Sequence, residues 1–261
     1  MVLFTDLDGT LLDHDTYEWA PARPAIELLR EKGIPWIIVT SKTRAEVDLW
    51  RAELGHTHPY IVENGGAIYI PGEAPVRYGA SYAELTEALE LAARESGCAV
   101  RGFARMTVDD VVAATGLPRE AAALAKVREH DEAFEVLTPE RQEALVAAIR
   151  AMGFHLTRGG RFWHIIGDND KARAVAELQR RYGGESIGLG DGPNDAAFLN
   201  RMDHPVIVRS KHEAEMRRLV PRGVVTAEAG PRGWNEAVLR LCGGIDADRD
   251  ETVQRARGEQ K

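Results

Sequence analysis

The sequence contains few cysteines and no long apolar stretch. Its two cysteines, Cys98 and Cys242, lack the spacing of a metal or redox pair, so we expect two reduced thiols in a cytoplasmic protein. No run approaches the roughly 20 apolar residues of a membrane-spanning helix, and we expect no membrane partner. Because the N-terminus already reads as a buried strand leading to Asp6, we also expect no signal peptide.

Lysine is scarce as well, and positive charge is outnumbered by negative charge. Only 6 of the 33 basic residues are lysine, against 41 acidic residues, and the formal net charge is −8. An acidic chain of this kind argues against nucleic acid as the main partner. Its hydrophobic content of 44% is typical of a globular protein, and 261 residues allow one large domain or two small ones.

Predicted strands and helices alternate near the start of the chain and again toward its end. This alternation indicates an α/β fold with a parallel sheet. The predicted strands are 2–5, 35–39, 60–62, 186–189 and 206–208. The predicted helices between them are 21–33, 44–54, 170–182 and 196–202.

The intervening residues have a different pattern, with longer helices and short strands that read as antiparallel. The main elements predicted here are a helix over 82–96 and strands over 133–137, 154–157 and 162–166. We therefore expect an α+β domain, residues 81–167, inserted into a core formed by residues 1–80 and 168–244. Residues 245–261 are mostly charged and polar, and we expect a flexible tail there.

Two acids directly follow the first predicted strand. Asp6 and Asp8 alternate with Leu7, so an extended backbone points both carboxylates to one side. Two carboxylates held that close repel each other unless a cation or a shared proton lies between them. The alternative is an Asx-rich turn that only ends the strand. Because ligands bind at the carboxyl ends of parallel strands, we favour a site.

Further polar groups occupy equivalent positions along the sheet. Thr40 to Arg44 follow the second strand, Gly190 to Asp195 follow a later one, and Lys171 begins the helix before it. Separately these are explained as a helix cap, a turn and a solvated lysine. Together they predict one site, because carboxylates favour a hard cation such as Mg²⁺ and a lysine with hydroxyls favours phosphate.

The motifs carry a family resemblance over nearly the whole chain. Asp6-Leu7-Asp8-Gly9-Thr10, Thr40-Ser41, Lys171 and Gly190-Asp191-Gly192-Pro193-Asn194-Asp195 resemble, in order and spacing, the haloacid dehalogenase superfamily of phosphotransferases. The resemblance implies a Rossmann-like parallel-sheet core. The position of the insert resembles the subclass with a cap domain of the C2B type.

The resemblance also implies a role for each motif. Asp6 would be the nucleophile that takes the phosphoryl group, and Asp8 the acid and base. The implied metal residues are Asp6, Asp8 through its backbone carbonyl, Asp191 and Asp195. The implied phosphate-binding residues are Lys171, Thr40 or Ser41, and Asn194.

A narrower resemblance comes from three further segments. Ser41 to Glu46, Glu63 to Gly66 and Arg158 to Phe162 resemble mannosyl-3-phosphoglycerate phosphatases. That family removes phosphate from 2-O-mannosyl-3-phosphoglycerate and yields mannosylglycerate, a compatible solute. Arginine suits the anionic glycerate end, and polar groups suit sugar hydroxyls. The candidate substrate-binding residues are Lys42, Arg44, Glu63, Asn64, Arg128, Arg158, Arg161 and His164.

Three other functions are compatible with parts of the pattern. The chain resembles sugar-phosphate phosphatases in general and phosphomannomutase-like phosphotransferases, which return the phosphoryl group to a sugar. A non-catalytic regulator is the third, but both acids, the lysine and the last acidic motif are all present. Gly79 and Gly167, at the two crossings into the insert, are candidate hinges for cap motion.

Overall fold

A computed structural model describes residues 1–159 and 162–244 as an α/β protein. The candidate residue Arg161 and the expected tail, 245–261, lie outside the described residues. The strands are β1 (Val2–Thr5), β2 (Trp36–Val39), β3 (Tyr60–Val62), β4 (Ala67–Tyr69), β5 (Val76–Arg77), β6 (Val100–Gly102), β7 (Asp131–Val136), β8 (His155–Gly159), β9 (Phe162–Ile166), β10 (Ser186–Gly190), β11 (His204–Arg209) and β12 (Val224–Ala229). The α-helices are α1 (Arg23–Glu31), α2 (Arg44–Leu54), α3 (Tyr82–Ser96), α4 (Val108–Thr115), α5 (Arg119–Ala125), α6 (Gln142–Ala151), α7 (Lys171–Tyr182), α8 (Ala196–Leu199), α9 (Glu213–Leu219) and α10 (Gly230–Gly243).

The chain divides into two compact units, and the described part of the first comprises residues 1–36 and 182–244. Its strands lie in the order β12, β11, β10, β1, and every neighbouring pair is parallel. Helix α10 packs against β11, β12 and α1 and buries Trp234 completely. Because the strands are parallel, the residues that follow β1 and β10 emerge at the same edge of the sheet.

The second unit comprises residues 37–181. Within it β2 and β3 are parallel, and β4 and β5 add antiparallel strands beyond them. A single turn of 3-10 helix, Glu63–Gly65, joins β3 to β4. Gly65 and Gly66 therefore belong to a tight connection between two antiparallel strands.

The second unit also contains a four-stranded antiparallel sheet, in the order β6, β7, β9, β8. One face, with Phe134 and Ile165, packs against α3 and α6. Ala133 points to the other face and joins the core made with α4 and α5. Since side chains alternate along a strand, Asp131 shares the face of Ala133, and so does His164, which pairs with Ala133.

The α/β class and the parallel core are confirmed, with some differences in the elements. Helix α3 begins and ends at the predicted residues, but β7 starts at Asp131, two residues before the predicted strand. The prediction missed the first two residues of β7 because Asp131 and Glu132 are charged, whereas buried strands are usually apolar. Helix α9 and the short β5 were not predicted. The proposed domain boundaries near residues 80 and 168 stay a prediction. No described helix is long and apolar enough to cross a membrane.

Candidate active site

The first unit gathers three acids that the sequence places far apart. Asp6 follows β1, and Asp191 and Asp195 follow β10, which is parallel to β1. One carboxylate oxygen from each of the three lies within 4.8 Å of the others. Asp6 and Asp195 are buried, and Asp191 is half-buried. Three of the four predicted metal residues are therefore neighbours at one sheet edge. Asp8 is not part of this carboxylate group.

Hydrogen bonds fix the orientation of the second acidic motif. Oδ2 of Asp195 accepts the backbone N–H groups of Asp191 at 3.3 Å and of Gly192 at 3.2 Å. The Thr10 hydroxyl donates to Oδ1 of Asp191 at 3.1 Å, and the Ser210 hydroxyl donates to its carbonyl at 2.9 Å. Side chains held in this way are pre-organised before any ligand arrives.

Asp6 is held through its backbone. Its N–H donates to the carbonyl of Leu189 at 2.9 Å. The Thr5 hydroxyl donates to the Asp6 carbonyl at 2.7 Å, and Nε1 of Trp234 donates to that hydroxyl at 2.9 Å. Trp234 and Thr5 are 229 residues apart, so their link exists only in the folded chain. Sequence reasoning missed both residues.

Gly9 lets the chain turn closely past the acidic cluster. Its φ of +76° is a left-handed conformation that side chains disfavour. A Cβ atom at this position would lie 2.7 Å from Oδ2 of Asp191. Glycine is thus required both by its dihedral angle and by the proximity of Asp191.

The three carboxylates suit a hard divalent cation. Like charges this close destabilise one another unless a cation or protons neutralise them. All the side-chain donors are oxygens, the ligand type that Mg²⁺ prefers. Because Asp6 and Asp195 are buried, water screens the repulsion between their carboxylates poorly. The residues present therefore fit a magnesium ion.

In the second unit, two turns that carry candidate residues are joined backbone to backbone. Glu63 donates its N–H to the carbonyl of Lys42, and Asn64 donates to the carbonyl of Thr40, both at 3.0 Å. The Thr40 hydroxyl is buried and accepts the N–H of Lys42 at 3.2 Å. Ser41 is only half-buried. Two backbone hydrogen bonds therefore tie the end of β2 to the end of β3.

Helix α2 begins with a capping box that also fixes Lys42. The Thr43 hydroxyl accepts the N–H of Glu46, and the Glu46 carboxylate accepts the N–H of Thr43 at 2.9 Å. The same carboxylate lies 3.4 Å from Nζ of Lys42, and both side chains are buried. Arg44 is exposed instead, with its guanidinium 4.8 Å from the centre of the Tyr69 ring.

Lys171 begins α7 and is 4% exposed. Gly65 explains how its backbone approaches the β3–β4 turn. A Cβ atom on Gly65 would lie 2.6 Å from the backbone nitrogen of Lys171, and φ at Gly65 is +91°. Lysine is rarely buried this far without a role, so Lys171 differs from the solvated lysine that was the alternative.

Asp131 collects three of the predicted substrate-binding residues. Oδ1 lies 2.7 Å from Nδ1 of His164 and 3.0 Å from Nη2 of Arg128. Oδ2 accepts Nδ2 of Asn64 at 2.8 Å. Arg128 also donates to the Asp131 carbonyl at 2.7 Å and to the carbonyl of Ser41 at 3.4 Å. Asp131 was absent from the predicted set, yet it is the centre of this group.

The charges in this group stabilise each other in the interior. Burial alone would raise the pKa of Asp131, but the Arg128 guanidinium and the hydrogen bonds from His164 and Asn64 hold it at about 2. Burial likewise opposes the charge on Arg128, yet Asp131 and Glu63 raise its pKa overall. Asp131 is therefore an anion at every physiological pH.

The chain is similar to known proteins over most of its length. Residues 3–132 match the family model described as haloacid dehalogenase-like hydrolase. A Methanococcoides burtonii protein named glucosyl-3-phosphoglycerate/mannosyl-3-phosphoglycerate phosphatase is 40% identical over 264 residues, covering 93% of this chain and 97% of that protein. The chain belongs to this family of haloacid dehalogenase-like hydrolases. A protein of the same name from Persephonella marina is 37% identical over 268 residues, which cover 94% of this chain and 98% of that protein.

Solved structures agree with this family at the level of the fold. A Thermoplasma acidophilum protein has a TM-score of 0.71 at 18% identity, covering 93% of this chain and 97% of that one. A sugar phosphatase described as subclass IIB of the same superfamily has a TM-score of 0.68 at 18% identity, covering 94% and 99%. The superfamily is confirmed by the family model and the two relatives, and the α/β fold by these structures.

Two further candidates, Arg158 and Glu63, are not among the residues that hydrogen-bond to Asp131. Arg158 is exposed, with its guanidinium 5.6 Å from the centre of the Trp163 ring. The carboxylate of Glu63 is buried and accepts the backbone N–H groups of Glu129 and His130, the latter at 2.6 Å. The φ of Glu63 is +48°, which is unusual for a residue with a side chain. The two hydrogen bonds to its carboxylate therefore hold a strained turn in place.

Replacing Glu63 by glutamine is expected to remove a pH dependence of folding stability. Burial raises the pKa of Glu63 to about 7, with Arg128 opposing the shift and Asp131 adding to it. The native state therefore holds a proton that the unfolded chain releases near pH 4.5. As the pH rises from 4.5 to about 7, the free energy of unfolding should fall by roughly 3 kcal/mol.

Glutamine should be nearly independent of pH in this window, because its amide oxygen can accept the same two N–H groups without titrating. Urea unfolding of both proteins at about pH 5 and about pH 7.5 measures the difference. Equal pH slopes for the wild type and the glutamine variant would show that Glu63 does not titrate in this range.

Proposed function

We propose that the protein is a Mg²⁺-dependent phosphatase that hydrolyses 2-O-mannosyl-3-phosphoglycerate to mannosylglycerate and phosphate in the cytoplasm. The single observation that carries the proposal is the cluster of Asp6, Asp191 and Asp195, three carboxylates within 4.8 Å, in a chain 40% identical to a phosphatase of this name. The two buried free thiols, Cys98 and Cys242, suit a reducing compartment.

The proposed reaction has two steps. In the first, a carboxylate oxygen of Asp6 attacks phosphorus, and the bond from phosphorus to the ester oxygen breaks while Asp8 donates a proton to that oxygen. In the second, Asp8 takes a proton from water, the water oxygen attacks phosphorus, and the bond from phosphorus to the Asp6 oxygen breaks, which releases phosphate. Asp6 and Asp8 then return to their starting protonation states.

Charge neutralisation is the main demand of phosphoryl transfer. A bound Mg²⁺ would offset the negative charge of the phosphoryl oxygens. We propose that Asp6, Asp191 and the backbone carbonyl of Asp8 hold it, with Asp195 and Asn194 orienting these groups. Asp195 supports this assignment because its own carboxylate is already fixed by two backbone N–H groups.

We propose that Lys171, Asn194 and the hydroxyl of Thr40 or Ser41 contact the phosphoryl group. The deep burial of Lys171 supports a task beyond solvation. We assign recognition of the sugar and glycerate to residues of the second unit and the insert. These residues are Lys42, Arg44, Glu63, Asn64, Arg128, Arg158, Arg161 and His164.

A phosphate-release screen tests the proposed function. The substrates are mannosyl- and glucosyl-3-phosphoglycerate, free 3-phosphoglycerate, and the simple sugar phosphates mannose 6-phosphate and glucose 1-phosphate. We expect the highest kcat/KM for a glycosyl-3-phosphoglycerate. Preference for a simple sugar phosphate would contradict the proposed substrate, and turnover only with a bisphosphate activator would indicate a mutase.

A further inference from the structure

The carboxylate of Asp131 dictates which atoms its neighbours turn toward it. It is completely buried and carries a negative charge paired with Arg128. A carboxylate in this state accepts hydrogen bonds and donates none. His164 must therefore direct a protonated Nδ1 at Oδ1, at 2.7 Å, and Asn64 must direct its amide NH2 group at Oδ2, at 2.8 Å.

The outward atoms of these two residues follow from that constraint. In the neutral imidazole with a proton on Nδ1, the other nitrogen, Nε2, is a hydrogen-bond acceptor. In the amide, the remaining atom, Oδ1, is an acceptor as well. Within the described part of the chain, neither Nε2 of His164 nor Oδ1 of Asn64 has a hydrogen-bond partner. Two acceptors thus remain available beside one carboxylate.

Arg128 is committed to protein groups and does not offer a comparable open donor surface. Its guanidinium donates to the Asp131 carbonyl, to the carbonyl of Ala125 at 3.3 Å and to that of Ser41 at 3.4 Å, and it pairs with the Asp131 carboxylate. Most of its five N–H donors are used. Within the proposed set of recognition residues, its main contribution is therefore to hold Asp131 in place.

We propose that Asp131 is a positioning residue for sugar recognition, which presents Nε2 of His164 and Oδ1 of Asn64 as paired acceptors for sugar hydroxyl groups. The inference rests on the proposed phosphatase function. Hydroxyl groups can donate to both atoms, whereas a carboxylate or a phosphate dianion cannot donate to either. His164 and Asn64, held by Asp131, therefore bind the neutral glycosyl part of the substrate, and other residues bind the anionic part.

Two variants test the proposal, each with two phosphate esters. Asp131→Asn must keep its amide oxygen toward Arg128 and His164, because a guanidinium only donates. Its NH2 group then faces Asn64, which has to turn its own Oδ1 inward and loses that acceptor for the substrate. His164→Asn keeps a donor toward Asp131 but removes Nε2. The esters are the sugar-bearing ester that the wild type hydrolyses best and p-nitrophenyl phosphate, which has no sugar.

We expect each variant to lower kcat/KM for the sugar ester by about tenfold, mainly through a higher KM, which corresponds to one lost hydrogen bond of ordinary strength. For p-nitrophenyl phosphate we expect a change of less than about twofold. The matched control is Glu132→Gln. Glu132 is the next residue of β7, is also buried, and binds Tyr82 and the N–H of Ala104. The Glu132→Gln variant should leave the ratio of kcat/KM between the sugar ester and p-nitrophenyl phosphate unchanged.

The proposal is overturned if Asp131→Asn and His164→Asn reduce kcat/KM equally for both esters, or if neither changes the ratio. If Asp131→Asn does not fold, the His164→Asn ratio decides alone. The sugar ester used here is the one that the wild-type enzyme hydrolyses best, whichever it is. If the proposed glycerate substrate is wrong, the substrate screen shows it. Failure of the positioning role appears only in the ratio of the variants.

Discussion

Asp6→Asn should abolish turnover, with kcat at least about 10⁴-fold below that of the wild type at saturating Mg²⁺. An amide has nearly the volume of a carboxylate but is a poor nucleophile, so it cannot form the aspartyl-phosphate. The backbone bonds that place residue 6, from the Thr5 hydroxyl and to the Leu189 carbonyl, do not involve the exchanged atom. The variant should therefore fold normally.

Two measurements check the role of Asp6. Phosphate release gives kcat, and acid-quenched enzyme analysed by mass spectrometry during turnover should carry a phosphoryl group on the Asp6 peptide only in the wild type. Asp15→Asn is the matched control, an exposed aspartate of the same unit, and should keep wild-type kcat. Substantial activity in Asp6→Asn, or a labelled peptide elsewhere, would remove Asp6 as the nucleophile.

The second large effect concerns Asp191 and the metal. Removing Mg²⁺ with a chelator should lower kcat by about 10³-fold or more, since charge on the phosphoryl oxygens is then poorly offset. Asp191→Asn should cause a comparable loss at moderate Mg²⁺ concentration. The amide oxygen can still accept from Thr10, as Oδ1 of Asp191 does at 3.1 Å, so the loss reports on the charge.

Stability provides a readout of the same site without catalysis. In the metal-free protein, repulsion among Asp6, Asp191 and Asp195 opposes folding, so Asp191→Asn without Mg²⁺ should be at least as stable as the wild type. Saturating Mg²⁺ should stabilise the wild type by about 3 kcal/mol at 100-fold excess over Kd and should stabilise the variant far less.

Thermal unfolding of the wild type and of Asp191→Asn, each with and without Mg²⁺, measures how much Mg²⁺ stabilises each protein. Asp203→Asn is the matched control, because Asp203 binds Ser186 at the opposite end of β10. It should retain the full Mg²⁺ stabilisation. An unfolding midpoint of the wild type that does not move with Mg²⁺ would contradict the metal assignment.

Local sequence was sufficient for the acidic cluster. Asp6 and Asp191 each follow a predicted buried strand directly, and parallel strands carry their end residues to one edge. The same logic did not reach Thr5 and Trp234, whose hydrogen bond joins residues 229 positions apart. Nothing in the composition around Trp234 distinguishes it from an ordinary core tryptophan, because only the folded sheet brings its Nε1 to Thr5.

Asp131 illustrates a different limit. In the sequence it stands among Glu129, His130 and Glu132, which resembles a charged surface run. Its burial is decided by the pairing of β7 with β9, which sets Ala133 opposite His164 and so brings Asp131 and His164 to one face. Arg128 was expected to clamp an anion of the substrate. The fold instead directs most of its donors to backbone carbonyls and Asp131.

The sequence by itself determined the α/β class, the family, and the nucleophile and metal residues proposed for this protein. These depend on short motifs at strand ends, where chemistry is fixed by neighbours a few residues away. The tertiary structure alone decided which polar groups are already satisfied and which remain available, as at Asp131, His164 and Asn64. Burial and hydrogen-bond partners come from segments far apart in sequence, so no local pattern contains that information.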